Sequence, residues 1–127
     1  MPKRVYIAGP YSKGDQAQNV RRVLDFAEVV ANCGMIPFVP HLSHFWHLVH
    51  PHDIDFWYAY DLEWLKQCDI LVRLSGESRG ADEEVMWARE WDIPVIISPD
   101  GSKAASLLRG LQDAAEGRVS KIDMEEL

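Results

Sequence analysis

Two carboxylates stand in surroundings that suit them to opposite halves of one reaction. Glu84 ends the acidic triplet Asp82-Glu83-Glu84 and shares a helical face with Ala81, Val85 and Ala88. It is thereby aimed toward the sheet crevice, close to a helix N-terminus that favours the anionic form a nucleophile needs. Asp61 falls on one face with Trp57 and Trp64, where aromatic surroundings desolvate a carboxyl, raise its pKa and fit it for proton transfer. A pair of carboxylates in unlike environments is what glycosyl transfer uses: one attacks or stabilises the developing oxocarbenium ion, the other manages a proton. Each residue also has a structural alternative. The triplet could simply complement the helix dipole, and Asp61 could be a solvated residue paired with Lys66.

The elements that must carry these residues alternate regularly. Lys3 to Ala8 reads as a buried strand, followed by the loop Gly9-Pro10-Tyr11-Ser12-Lys13-Gly14. Asp15 can cap a helix with Gln18 in a near capping box, and Gly34 stops it. Met35 to Val39 is a second strand, residues 40 to 52 an irregular lid-like loop rich in His and aromatics, and Asp53 to about Gln67 a second helix. Ile70 to Leu74 gives a third strand, residues 75 to 80 a second glycine-containing loop, Ala81 to about Trp91 a helix, and Ile93 to Ile97 a fourth strand. Ser102 to about Ala115 reads as a further helix and Arg118 to Ile122 as a fifth strand. This pattern predicts one doubly wound, flavodoxin- or Rossmann-like α/β domain over residues 1–127, with a five-stranded, mainly parallel sheet in the order 2-1-3-4-5. The loops leaving strands 1 and 3 should diverge and leave a crevice at the carboxyl ends of the strands, and that crevice, flanked by the two glycine-containing loops, is the predicted site.

Composition narrows the partners. A net charge of −7 with no basic stripe argues against nucleic-acid polymers and anionic membranes, which leaves a small molecule. No apolar run reaches membrane-spanning length and none forms a signal-peptide core, so a cytoplasmic protein is expected. Cys33 and Cys68 show no paired spacing and read as free thiols. The five histidines His41, His44, His47, His50 and His52 could in part share a helical face and hold a metal ion, but their Pro-flanked aromatic setting favours a base-binding lid. No metal and no cofactor are therefore assigned, and His41 and Trp46 are expected to touch base or sugar. Ser78, Arg79 and the first N–H groups of the following helix form a candidate anion cradle; alternatively Ser78 is an N-cap and Arg79 a surface charge.

Three segments, in order and correctly spaced, also carry a family resemblance. Val5-Tyr6-Ile7-Ala8-Gly9-Pro10, the run Asp61 to Asp69, and Ser78 to Ala88 followed by Ile93-Pro94-Val95 resemble the nucleoside 2-deoxyribosyltransferase superfamily, in particular its deoxynucleoside 5'-monophosphate N-glycosidase branch. The resemblance implies that Glu84 is the nucleophile attacking C1' of the sugar. It implies that Asp61 holds a sugar hydroxyl or assists protonation of the base, and that Tyr6, at the end of strand 1, lines the site. It further implies that Gly9 lies where backbone approaches ligand and that Ser78 holds phosphate; Pro10, Tyr11, Arg79 and Gly80, beside them, are expected to contact substrate.

The chain departs from that pattern at Asp82 and Met86, where the family has small glycines, and in a first loop without the arginine of the phosphate-specific branch. The asparagine-bearing C-terminal segment of the transferases has no counterpart in Lys121 to Leu127, which leans toward hydrolysis over base exchange. The expected protein is an N-glycosidase acting on a nucleoside or its 5'-monophosphate through a glycosyl-Glu84 intermediate. A base-exchanging transferase, a non-catalytic nucleotide sensor and an aromatic interaction module are the alternatives. A homodimer or larger homo-oligomer is expected, with the 102–115 helix as the contact and Ser106 or Arg109 reaching a neighbour's phosphate pocket.

Overall fold

The computed structural model describes residues 2–98 and Leu108. Four apolar runs form strands: β1 (Arg4–Ala8), β2 (Ile36–Phe38), β3 (Ile70–Leu74) and β4 (Val95–Ser98). They pair in parallel in the order β2-β1-β3-β4, with Tyr6 beside Phe38 and Leu71, and Ala8 beside Arg73. Runs such as Val-Tyr-Ile-Ala, apolar at successive positions, belong to a sheet covered on both faces.

The covering helices are α1 (Gln16–Asn32), α2 (His44–Val49), α3 (Ile54–Leu65) and α4 (Arg79–Glu90). Three start on a side-chain cap. Asp15 accepts from the Gln18 N–H at 3.1 Å, Asp53 from the Phe56 N–H at 2.9 Å, and Ser78 from the Ala81 N–H at 3.1 Å. Each cap stabilises its helix by about 1 kcal/mol. On one face of the sheet, Val23, Phe26, Ala27 and Val30 of α1 pack over Val5, Ile7, Ile70, Val72, Leu74 and Ile96. On the other, Leu65 and Cys68 join Ala81, Val85 and Ala88 of α4 over Tyr6, Ala8, Leu71 and Val95. The alternation within each strand thus divides two cores, and the doubly wound α/β arrangement follows.

Several expectations need correction. The sheet has four strands among the described residues, not five; the expected strand 118–122, Ser106 and Arg109 lie outside them. Of the expected helix 102–115 only Leu108 is described, and it is helical and fully buried in the α1-side core. The lid-like loop 40–52 is instead largely helical, a 3-10 turn over Pro40–Ser43 leading directly into α2. Tyr6 is the central residue of β1, not its end. Strand 4 begins later than expected because the Ile93 N–H closes the end of α4 on the Ala88 carbonyl at 2.8 Å, after Asp92 turns the chain at φ 59°.

The loops leaving β1 and β3 also meet where divergence was expected. Gly76 sits at φ 119°, and a Cβ there would stand 2.4 Å from Cγ of Pro10, so only glycine lets the Pro10 ring lie against this backbone. Arg22 Nη2 donates to the Ser75 carbonyl, and Lys13 lies 3.9 Å from Glu77. The crevice is therefore closed between these loops, and the polar interior lies on the α3–α4 side. Cys33 and Cys68 are both free thiols. Among the described residues no helix is long and apolar enough to cross a membrane.

Candidate active site

The acidic triplet on α4 separates into three different roles. Asp82 pairs with Arg73 at 2.8 Å, Glu83 pairs with Arg79 at 3.2 Å, and Glu84 turns inward. Glu84 is only 8% exposed and accepts a hydrogen bond from the Tyr6 hydroxyl, which rises from the fully buried centre of β1. Its position beyond the first turn of α4 rules out dipole complementation as the reason for its placement, because that effect fades within a turn.

Asp61 approaches from α3. One of its carboxylate oxygens is buried with no hydrogen-bond partner among the described residues, while Lys66, which with a nearby arginine is the partner expected of a solvated Asp61, pairs with Glu63 at 2.8 Å. The Trp87 indole donates to the Tyr58 hydroxyl at 3.0 Å and ties α4 to α3 beside the two acids. Phe38 stacks between Tyr6 and Trp64, with ring centroids 5.5 and 5.6 Å away, and closes the β2 side.

Burial sets the protonation of this cluster. Desolvation pushes Asp61 up to about 8, helped by the neighbouring Glu84 charge. Desolvation also raises Glu84, to about 7, against the Tyr6 hydrogen bond and the Arg73 charge, which both lower it. Tyr6 is driven well above its ordinary value by burial and then by Glu84. The helix N-terminus was expected to favour ionised Glu84; the loss of water outweighs it. Burial thus raises both carboxyls, and because each charge disfavours the other they titrate as a pair.

The remaining candidates lie elsewhere around the sheet. Gly9, Pro10, Tyr11 and His41 surround the exit of β1: His41 Nε2 donates to the Pro10 carbonyl at 2.9 Å, and burial lowers its pKa. Tyr11, His41 and His44 line a cavity of about 550 Å³ against α1, with Val20, Arg21 and Phe45 on its walls. Trp46 packs edge-on to Trp57 and Tyr60 of α3, 5.0 and 5.5 Å away, on the helix that carries Asp61. Ser78 uses its hydroxyl as the α4 cap, Arg79 is exposed, and a Cβ on Gly80 would meet open space.

The histidines disperse. His44 bonds Tyr11, His47 accepts from the Trp57 indole at 2.8 Å, and His52 stacks on Phe56 at 3.8 Å. Among the described residues no group of His, Cys, Asp and Glu is arranged to hold a metal ion. Sequence reasoning missed Arg73, buried on β3 and donating to the Gly76 carbonyl at 3.0 Å as well as to Asp82. The signal was present: a single charge inside the apolar run Ile-Leu-Val-Arg-Leu. With Ser75, Gly76, Asp82 and Arg89 it lines a cavity of about 400 Å³ at the ends of β3 and β4. Neither cavity is lined by Glu84, Asp61 or Tyr6.

Known proteins share this architecture. A 2-deoxyribosyltransferase from the psychrotolerant bacterium Bacillus psychrosaccharolyticus aligns with a TM-score of 0.56 and 21% identity, over 74% of this chain and 70% of that one. A conserved protein from Enterococcus faecalis V583 aligns with a TM-score of 0.55 and 19% identity, over 97% of this chain and 82% of that one. The fold is accordingly nucleoside 2-deoxyribosyltransferase-like. No curated protein matches the chain in sequence. Residues 3–98, the span that carries every element from β1 to β4, match a family model described as a domain of unknown function, and the chain belongs to that family, DUF7768.

Proposed function

We propose that this protein is an N-glycosidase that cleaves the base–sugar bond of a nucleoside or deoxynucleoside 5'-monophosphate. The observation that carries the reading is the buried meeting of Glu84, Tyr6 and Asp61 from three separate elements, where burial raises both carboxyls. The 2-deoxyribosyltransferase likeness, whose bacterial representative is described as a biocatalyst for nucleoside synthesis, supports the same substrate class.

In the first step a Glu84 carboxylate oxygen attacks C1' as the C1'–N bond breaks. The bonding electrons leave with the base nitrogen, which takes the proton of Asp61. Asp61, now a carboxylate, then removes a proton from water as the water oxygen attacks C1' and releases Glu84. The products are free base and free sugar or sugar phosphate. Tyr6 holds Glu84 by its hydrogen bond and stabilises the ionised carboxylate. A 5'-phosphate would be held at the N-terminus of α4, where a Cβ on Gly80 would meet open space and the helix end favours an anion. Base exchange differs only in the acceptor that resolves the intermediate.

Incubating the protein with a panel of nucleosides and 5'-monophosphates, with and without a second free base, and following released base by chromatography tests this reading. Release from at least one panel member is expected, with sugar or sugar phosphate as co-product. No release from any member, despite ligand-induced stabilisation, would indicate a nucleotide sensor instead.

A further inference from the structure

Burying a guanidinium in a strand is costly unless its surroundings compensate the charge. Arg73 is 9% exposed, and its ion-pair partner Asp82 has a side chain 71% exposed, so a largely solvated carboxylate faces one side of a buried cation. The carbonyls of Leu74 and Gly76 accept two more of its N–H groups. The sheet register shows what lies on the other side. Arg73 pairs with Ala8 and Leu71 with Tyr6, so Arg73 projects from the same face as Tyr6, one rung further along and one strand over. Glu84 descends onto that face from α4, two residues after Asp82, and meets Tyr6. The charged and titratable groups around Glu84 are then Tyr6 from β1, Arg73 from β3, Asp61 and Tyr58 from α3, and Glu83 on α4 itself. Among these only Arg73 is cationic.

We infer that Arg73 is a positioning residue for Glu84: clamped by Asp82 and by the Leu74 and Gly76 carbonyls, it fixes the first turns of α4 against the sheet and supplies the positive charge beside the Glu84 carboxylate. This inference rests on the proposed nucleophilic role of Glu84. It accounts for a cation inside an otherwise apolar strand and for Asp82 at its position on α4. Both of its consequences are separable, because a lysine keeps the charge and loses the fork, whereas a neutral side chain loses the charge.

The test titrates the Glu84 carboxyl by NMR in protein labelled at the glutamate side-chain carbons, with E84Q to assign the signal, alongside the pH profile of base release. In R73M the Glu84 titration should move upward by about one pH unit, and the acid limb of the profile with it. R73Q, which can still donate to the two carbonyls, should show the same shift and guards against misfolding of R73M. R73K should titrate near wild type yet turn over more slowly. An unmoved Glu84 titration in both neutral variants overturns the inference whether or not the protein releases base. A shifted titration without base release from any substrate would uphold the electrostatic coupling and refute the glycosidase reading.

Discussion

Two regions of this molecule concentrate chemically capable side chains, and they behave oppositely. The segment from Pro40 to His52 is dense in sequence, with five histidines, yet folding sends four of them, His41, His44, His47 and His52, to separate partners: Pro10, Tyr11, Trp57 and Phe56. Tyr6, Asp61 and Glu84 are spread over 78 residues of sequence, yet three elements bring them to one buried place. Proximity in sequence produced a packed aromatic wall; convergence across the fold produced a buried cluster of titratable groups. A buried carboxyl is expensive and persists where something else requires it, whereas a histidine in an aromatic helix can be part of ordinary packing.

That contrast can be broken by substitution, beginning with the largest effect. Glu84→Gln should lower base release by roughly 10³-fold or more, since it removes the attacking oxygen, while a melting curve remains cooperative. Asp61→Asn should lower the rate by roughly 10²- to 10⁴-fold and erase the basic limb of the pH profile. In the wild type that profile should be bell-shaped, falling below about 7 as Glu84 protonates and above about 8 as Asp61 loses its proton.

Asp61→Asn should also raise the melting temperature at alkaline pH. A carboxyl with its folded pKa raised to about 8 from an ordinary value of 3.8 binds its proton more strongly in the native state. Stability therefore falls as pH rises through that interval and stays lower above it, and the neutral amide escapes this loss. A variant that gains stability while losing activity separates this cluster from a merely structural one.

Tyr6→Phe should slow release by roughly 10-fold and move the acid limb upward, because the hydroxyl that favours ionised Glu84 is gone. The smallest effects belong to the other region. His44→Ala and His50→Ala should each change the rate by less than about threefold, a barrier change within the ordinary range of surface substitutions. A loss comparable to that of Asp61→Asn at either histidine would place part of the chemistry in the α2 wall and undo the contrast.

Much of this architecture was legible in residue patterns. Four strands and the helices α1 and α3 follow from apolar runs, from Asp15 and Asp53 at the helix starts, and from Gly34 as a stop, whereas Ser78, favoured as a phosphate contact, caps α4 and starts it at Arg79 instead of Ala81. Glu84 was legible as facing the sheet because Ala81, Val85 and Ala88 share its stripe, although it meets Tyr6 and not a crevice between the β1 and β3 loops. Three features were not. The helical character of residues 44–49 is hidden because Trp46 gains its place from contacts with Trp57 and Tyr60, beyond its own segment. The closure of the β1 and β3 loops depends on Pro10 meeting Gly76, a contact between residues 66 positions apart. Arg73 was overlooked because its meaning comes from the register that sets it beside Tyr6 and under α4.

The most direct measurement of the central claim is intact and peptide mass spectrometry of protein quenched during turnover with the best substrate of the panel. A mass increase equal to the glycosyl group, the sugar or sugar phosphate less one water, located on the peptide containing Glu84 and absent in Glu84→Gln, is the predicted result. Base release that proceeds undiminished in Glu84→Gln, with no adduct on the wild-type Glu84 peptide, would contradict it.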